Sequence, residues 1–265
     1  MVILLPRNGL VTGGVIMSQL KRILKADRIK LKKTPFFSLH GVIPLVGIGI
    51  FSAYQAMSNY PANRLMINYF QVLALIYPLL IAWLTTIVTD QEIEAGGAYF
   101  LLNSSSKFRM LTAKILLLVL SGLFSCLLVG IGYHLFAQFR VDYSLSFSFV
   151  LLLVAVIWCS SLFLYSFHLW LGFCFGRNVN FAIAAVELLL SALLLTGLGE
   201  MIWYFFPCAW GIRLVPLVAS FARENTPAIL TKIEVGTGSL IFLTFFMLVV
   251  LFLWFKKWEG RKNEA

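Results

Sequence analysis

Six long apolar runs constrain what this chain can fold into more than any other feature of its sequence. A helix needs about 20 mainly apolar residues to cross the hydrocarbon core of a bilayer, and each run meets that length. The runs lie at about Phe36–Met57, Met66–Thr89, Leu111–Phe136, Phe147–Phe175, Phe181–Phe206 and Val235–Phe255. The sequence therefore predicts an all-α membrane protein with six transmembrane helices over residues 36–258 and a short tail at 259–265.

The composition agrees with this class. The chain is 60% hydrophobic and only 12% charged, whereas soluble domains carry about 25% charged residues. The net charge of +10 comes from 21 Lys and Arg against 11 Asp and Glu. Because most of the basic residues flank apolar runs, we interpret them as topology signals and lipid-headgroup anchors, and we expect no nucleic-acid partner.

The distribution of the basic residues predicts the orientation of the chain. With both termini in the cytoplasm, only five of the 21 Lys and Arg fall on outer segments, and the other 16 fall on inner ones. The outer five are Arg64, Arg140, Arg213, Arg223 and Lys232. Such an excess of positive charge on inner segments predicts cytoplasmic N and C termini.

The N-terminal region precedes the first apolar run. Residues 1–16 are expected to be a non-native or disordered leader, with the native start at Met17, although an ordinary N-terminal tail is the alternative. Residues 17–35 alternate apolar and basic positions, which predicts an amphipathic helix on the cytoplasmic surface that Pro35 ends. Its predicted surface-contacting basic residues are Lys21, Arg22, Lys25 and Arg28.

The longest early polar break is DQEIEAGGAYFLLNSSSKFRMLTAK, residues Asp90–Lys114. It begins with three acids at alternate positions, continues through a glycine pair and an apolar run, and ends with basic residues. One interpretation is a short helix that carries an acidic rim and an apolar plug. A solvated connector is the alternative. The predicted site residues are Asp90, Glu92, Glu94, Gly96 and Gly97.

The break between the fifth and sixth runs is too polar for a membrane span and too apolar for a free loop. Leu214–Phe221 predicts a short helix within Pro207–Glu234. Aromatic residues concentrate at membrane interfaces, so we expect a re-entrant hairpin on the outer side. The predicted outer gate or substrate path comprises Glu200, Trp203, Tyr204, Pro207 and Trp210.

The sequence holds no motif for catalysis or nucleotide binding. It has no P-loop, no GxSxG, no GxGxxG and no HExxH, and its four cysteines form no CxxC pair. Among ionisable residues in apolar runs, Lys114 is expected to extend to the inner surface, and His168 and Glu187 to face the bundle in hydrogen bonds. We expect no enzyme and no bound cofactor or metal in this chain, so ATP-driven transport would need a separate ATPase subunit that binds ATP and Mg.

Taken together, these features resemble the ABC-2-type exporter permeases, at the level of topology and over nearly the whole chain from Met17. In that family, the loop after the second span holds a coupling helix that docks on the ATPase; Glu92, Glu94, Gly96 and Gly97 match its acid-rich, glycine-containing pattern. The N-terminal surface helix, matched by Ser18–Lys33, also contacts the ATPase.

Within the family, the chain is most similar to the small permeases of lantibiotic and bacteriocin immunity, whose aromatic-proline-aromatic stretch resembles WYFFPCAW at Trp203–Trp210. Bacitracin-type resistance permeases are similar too. The resemblance implies a bacterial plasma-membrane location, two ATPase copies, a second permease copy or a related sister permease, and an amphipathic antimicrobial peptide as substrate. A drug, lipid or polysaccharide permease is the second hypothesis. An ion-coupled transporter or intramembrane enzyme that uses Glu187, Glu200 and His168 is the third.

Overall fold

The computed structural model describes residues 9–94, 98–103 and 106–260, without the side chains of 9–16 and Phe100, and these residues contain helices and no strands. The α-helices are α1 (Gly9–Leu31), α2 (Phe36–Met57), α3 (Ala62–Glu94), α4 (Tyr99–Leu102), α5 (Lys107–Ala137), α6 (Phe147–Phe175), α7 (Arg177–Leu195), α8 (Trp210–Glu224) and α9 (Pro227–Lys257). Three single 3₁₀ turns connect α7 to α8, at Gly197–Gly199, Trp203–Phe205 and Pro207–Ala209.

Six of these helices are long and apolar enough to cross a membrane: α2, α3, α5, α6, α7 and α9. The prediction of an all-helical, multi-pass membrane protein is thus confirmed. The bundle has two ends, which we name after the short helices there. The α1 end carries α1, the end of α3 and the start of α5, and the α8 end carries the start of α3, the start of α6 and α8.

Local sequence accounts for several helix boundaries. The Ser146 hydroxyl accepts a hydrogen bond from the Phe149 N–H at the start of α6, as an N-cap should. Gly176, with φ of 80°, separates α6 from α7, a conformation that glycine adopts without the steric cost of a Cβ. Asn225, with φ of 47°, ends α8 in the left-handed region, which asparagine tolerates better than most residues.

Two predicted boundaries are wrong. The predicted fifth span, Phe181–Phe206, ends as a helix at Leu195, because two glycines follow and Arg213 binds the free carbonyls of Leu194 and Thr196. At Gly199, a Cβ would lie 2.1 Å from the Leu194 oxygen, so only glycine fits. At the other end of the bundle, α3 extends to Glu94, which places the predicted loop acids on a helix.

The N-terminal helix also begins earlier than predicted. The helix α1 starts at Gly9, so residues 9–16, predicted to be part of a disordered leader, are helical. Residues 1–8 lie outside the described residues, and the start at Met17 stays a prediction. The short helix predicted from Leu214–Phe221 is confirmed as α8.

The core surrounds α3, which packs against α5, α6, α7 and α8. At the α8 end, the two tryptophans Trp203 and Trp210 are buried with Tyr69 and Tyr133. At the α1 end, Phe173, Phe255 and Trp258 pack with Leu101. Because bundle helices in lipid gain little from the hydrophobic effect, close packing of this kind supplies much of their association.

Two glycines of α9 give a matched test of that packing. A Cβ on Gly236 would lie 2.3 Å from the Trp203 ring, whereas a Cβ on Gly238 meets nothing within 4 Å. We expect Gly236→Ala to destabilise the fold by about 1–3 kcal/mol through overpacking. Gly238→Ala should be neutral or stabilise it by up to about 1 kcal/mol, because alanine favours the helix. Thermal unfolding in detergent measures the midpoints of the two variants. Equal midpoints would contradict the close packing of Gly236 against Trp203.

Candidate functional site

Four charged side chains meet at the α1 end, and we call them the charged cluster: Asp27, Lys30, Glu92 and Lys114. The Lys114 Nζ lies 2.8 Å from the Glu92 Oε1 and 3.5 Å from the Asp27 Oδ2. The Lys30 Nζ lies 3.0 Å from the same Glu92 oxygen. The residues come from α1, α3 and α5, so the cluster joins three helices that are distant in sequence.

Burial makes this cluster energetically demanding. Asp27, Glu92 and Lys114 are each no more than 3% exposed, while Lys30 keeps part of its side chain in solvent. Burial raises the pKa of the Asp27 carboxyl, and the nearby Lys114 opposes that shift. The two acids and two lysines have no net charge together. Their mutual attraction offsets part of the free-energy cost of removing them from water.

The residues predicted to form the ATPase-coupling loop, Asp90, Glu92, Glu94, Gly96 and Gly97, do not share one environment. Glu92 is buried and pairs with Lys30 and Lys114, and its place in an ATPase-coupling loop stays a prediction. Asp90 and Glu94 instead pair with Arg177 at the start of α7, at 3.2 Å and 3.1 Å. Gly96 and Gly97 lie outside the described residues. After them, Ala98 adopts a left-handed conformation, and α4 follows with Leu101 buried and Tyr99 exposed.

The basic residues predicted on α1 fall where a partner or a lipid surface could reach them. Lys21, Arg22, Lys25 and Arg28 are all exposed. Asp27 and Leu31 face the bundle and are buried. The N-terminal helix thus has one basic face that is free and one face that is held by the charged cluster.

Sequence reasoning missed Asp27 and Lys30 and misjudged Lys114. Lys114 was expected to extend to the surface, but it is buried between Glu92 and Asp27. A signal was present, because Asp27 is the only acid in an otherwise basic segment. An acid on the apolar side of a basic amphipathic helix suggests an internal ionic partner rather than a solvated charge.

A second polar group lies within the bundle, where α6, α7 and α3 meet. His168 is fully buried, and its Nδ1 lies 2.7 Å from the Asn180 Oδ1. Its Nε2 lies 2.8 Å from the Glu187 Oε2. The Asn180 amide nitrogen donates to Thr85, Thr86 and the Ala82 carbonyl. The prediction that His168 and Glu187 face the bundle in hydrogen bonds is confirmed.

These contacts determine how the imidazole is protonated. Because the Asn180 nitrogen faces three acceptors, its oxygen faces His168, and the Nδ1 must carry a hydrogen. The Nε2 then meets a carboxyl oxygen, and this hydrogen bond needs one further proton. Either a neutral Glu187 donates to Nε2, or an imidazolium donates to a Glu187 carboxylate. In both forms, one proton lies between the His168 Nε2 and the Glu187 carboxyl oxygen.

The residues predicted as an outer gate or substrate path come together in the turns between α7 and α8 and at the start of α8, and their role as a gate stays a prediction. Trp203 and Trp210 are buried, and the Trp210 indole N–H donates to the Tyr204 carbonyl. Pro207 begins the last 3₁₀ turn. Glu200 pairs with Lys232 and Arg213, which hold the pKa of its carboxyl below the usual range. These residues build and brace the turn between α7 and α8.

Within the described parts of the chain, no group of three or more His, Cys, Asp and Glu side chains could hold a metal ion. Comparison with known proteins does not assign the chain to a family. No protein-family model matches it, and no curated protein matches it significantly.

The charged cluster predicts how substitutions of its residues change the stability of the protein. Lys114→Met should destabilise the protein by about 3–5 kcal/mol, because two buried carboxylates keep only Lys30 as a counterion. Adding Asp27→Asn restores charge balance and should recover part of that loss. Lys21→Met, on the exposed face of α1, is the control and should change stability by less than about 0.5 kcal/mol. Unfolding midpoints in detergent compare the three variants. If the double variant is no more stable than Lys114→Met, charge balance is not what stabilises the cluster.

The buried histidine gives a second prediction. Glu187→Gln keeps a donor to the Nε2 of His168, so its stability should remain within about 1 kcal/mol of wild type. Glu187→Leu leaves that nitrogen buried without a partner and should cost about 1–3 kcal/mol. The comparison uses thermal unfolding at neutral pH. Equal destabilisation by both substitutions would show that hydrogen bonding to Nε2 is not what Glu187 supplies.

Proposed function

We propose that this chain is the transmembrane permease subunit of an ATP-driven, ABC-2-type exporter that removes an amphipathic antimicrobial peptide from the membrane. A separate ATPase subunit, in two copies, would bind ATP and Mg. A second permease copy, or a related sister chain, would complete the transport path. The topology in this proposal has both termini in the cytoplasm, so that the α1 end faces the ATPase.

The observation that carries the proposal is the charged cluster. It attaches α1 to the ends of two membrane spans, α3 and α5, through buried ion pairs at 2.8 Å, 3.0 Å and 3.5 Å. A force on the exposed basic face of α1 would pass directly to those spans, because sliding α1 would expose or separate buried charges. That is the property required of an element that transmits ATPase movement.

A second connection extends the same path. Asp90 and Glu94, on the last turns of α3, both bind Arg177 at the start of α7. Movement at the end of α3 would therefore reach α7 as well as α5. The α7 helix leads to the turns and α8 at the opposite end, which we propose as the outer re-entrant hairpin.

The α8 end supports the proposed substrate class. The turns between α7 and α8 expose large apolar side chains, with Leu198 74%, Met201 76% and Phe205 64% exposed. Under the proposed topology they lie at the outer membrane surface, where an amphipathic peptide would partition. A drug, lipid or polysaccharide substrate on the same architecture remains the alternative within this class.

A different class has one observation in its favour. The shared proton of His168 and Glu187 is the kind of intramembrane ionisable pair that ion-coupled transporters use. If the chain were such a transporter, Glu187→Gln would abolish transport in reconstituted vesicles without any ATPase. The permease proposal expects no transport in those vesicles for either form.

The ATPase contact is tested by purifying the tagged chain from its native membrane and identifying the subunits that remain bound. We expect an ABC ATPase to co-purify, and Lys21→Glu with Lys25→Glu to reduce its recovery at least about tenfold. The control carries the same charge change at the opposite end, in Arg64→Glu with Arg223→Glu. It should retain the ATPase, since α3 alone separates the two ends by about 50 Å.

Two outcomes would contradict this proposal. One is the absence of any ATPase from the wild-type preparation, and the other is equal loss in the α1 variant and its control. Growth inhibition by peptide and by drug panels then separates the substrate alternatives. The peptide exporter expects protection against amphipathic peptides only.

A further inference from the structure

Five basic residues lie at the α8 end of the bundle, and three of them have acidic partners. Arg140 pairs with Asp142, and both Arg213 and Lys232 pair with Glu200. The other two are Arg64 at the start of α3 and Arg223 near the end of α8. Neither forms an ion pair with a carboxylate in the part of the chain that the structure describes.

Arg64 and Arg223 line the same cavity, and the Arg223 guanidinium also donates to the Ser220 hydroxyl at 3.4 Å. This cavity is open to solvent on one side, has about 880 Å³ of empty space when that open part is included, and lies between the start of α3, the α5–α6 connection and the end of α8. A smaller adjoining cavity, with about 420 Å³ of empty space, also has Arg64 and Arg223 in its wall. Among the residues that the structure describes, no acidic residue lines either cavity. The nearest acid in the α5–α6 connection, Asp142, is occupied by Arg140 and by the Ala62 N–H.

The remaining polar wall suits an anion. Ser144 and Ser146 contribute hydroxyl groups, and Asn63 holds Ser144 in place through two hydrogen bonds, at 2.8 Å and 2.9 Å. The first turns of α3 and α6 both border the cavity, and helix N-termini carry partial positive charge. Two guanidinium groups beside one cavity repel each other unless an anion lies between them.

We propose that this cavity binds a phosphate group, which Arg64 and Arg223 hold from two sides. Guanidinium groups bind phosphate oxygens in pairs, with geometry that lysine cannot reproduce. The proposal requires only the position of the two arginines and does not depend on the transport function.

The apolar part of the wall indicates which phosphate is favoured. Ile67, Leu145 and Phe149 line the cavity below the polar groups. The site lies where two membrane spans begin, which is the depth of lipid headgroups. An anionic phospholipid would place its phosphate between the arginines and its acyl chains along these apolar residues. A soluble phosphate compound carries the same phosphate group but has no acyl chains to pack against the apolar wall.

The test uses the purified full chain in detergent, with wild type compared with Arg64→Gln plus Arg223→Gln. Phosphatidylglycerol, phosphatidylcholine and inorganic phosphate are added separately, with chloride at equal ionic strength as the reference. Bound lipid is counted by native mass spectrometry, and thermal unfolding is followed in parallel. We expect wild type to retain phosphatidylglycerol at least about tenfold better than the double variant, the size expected from losing one charge-assisted hydrogen bond.

Two controls separate a built site from general charge attraction. Arg22→Gln plus Lys25→Gln removes the same charge from the exposed face of α1 and should lose less phosphatidylglycerol than Arg64→Gln plus Arg223→Gln. Arg64→Lys plus Arg223→Lys keeps the charge without the guanidinium geometry and should bind less than wild type. Because both arginines are exposed, unfolding of the double variant without added lipid should match wild type and show that it is folded.

Each source of phosphate gives a distinct result. Stabilisation by phosphatidylglycerol alone identifies a lipid headgroup, and stabilisation by inorganic phosphate alone identifies a soluble ligand. Two results would overturn the proposal. In the first, wild type and the Arg64→Gln, Arg223→Gln variant retain phosphatidylglycerol equally, and inorganic phosphate shifts their unfolding midpoints equally. In the second, the α1 control loses as much phosphatidylglycerol as the Arg64→Gln, Arg223→Gln variant.

Discussion

The ion pair between Lys114 and Glu92 is the constraint on which the α1 end of this protein depends. Each charge alone would be too costly to hold away from water, so the two helices that carry them, α3 and α5, must stay in register. Asp27 and Lys30 add the N-terminal helix to the same arrangement. A polar surface helix thereby becomes a fixed part of a membrane bundle, which is the physical basis for proposing that it transmits movement.

The opposite end is held together differently. Arg213 binds two backbone carbonyls at the end of α7 and pairs with Glu200, while Trp203 and Trp210 fill the space beneath the turns. Between the two ends, His168 joins α6 to α7 through hydrogen bonds to Asn180 and Glu187. The bundle thus uses ionic and hydrogen-bonded contacts at three depths, where each satisfied group opposes sliding of the helices.

Much of the fold could be predicted from the sequence, and less of the candidate site could. The six spans follow from apolar length, and the exposed basic face of α1 follows from helical periodicity. Leu195, however, ends a helix inside a continuous apolar run, and Arg213 stabilises that break from 18 residues further along. Glu92 looked like a loop acid because its partners, Lys30 and Lys114, are distant in sequence. The sequence around Glu92 does not identify these partners, and the local signal in this cluster lay at Asp27 alone.

The sequence by itself determined the membrane class, the number of spans and the lack of a nucleotide-binding motif, because these depend on composition and on local pattern. Only the tertiary structure decided which charges are buried together and which pair near the surface. Glu92 and Asp90 are two residues apart on α3, yet one is enclosed with lysines and the other binds Arg177 near the surface. The helix rotates successive side chains by about 100°, so neighbours in sequence meet different helices, and the packing of those helices assigns each charge its partner.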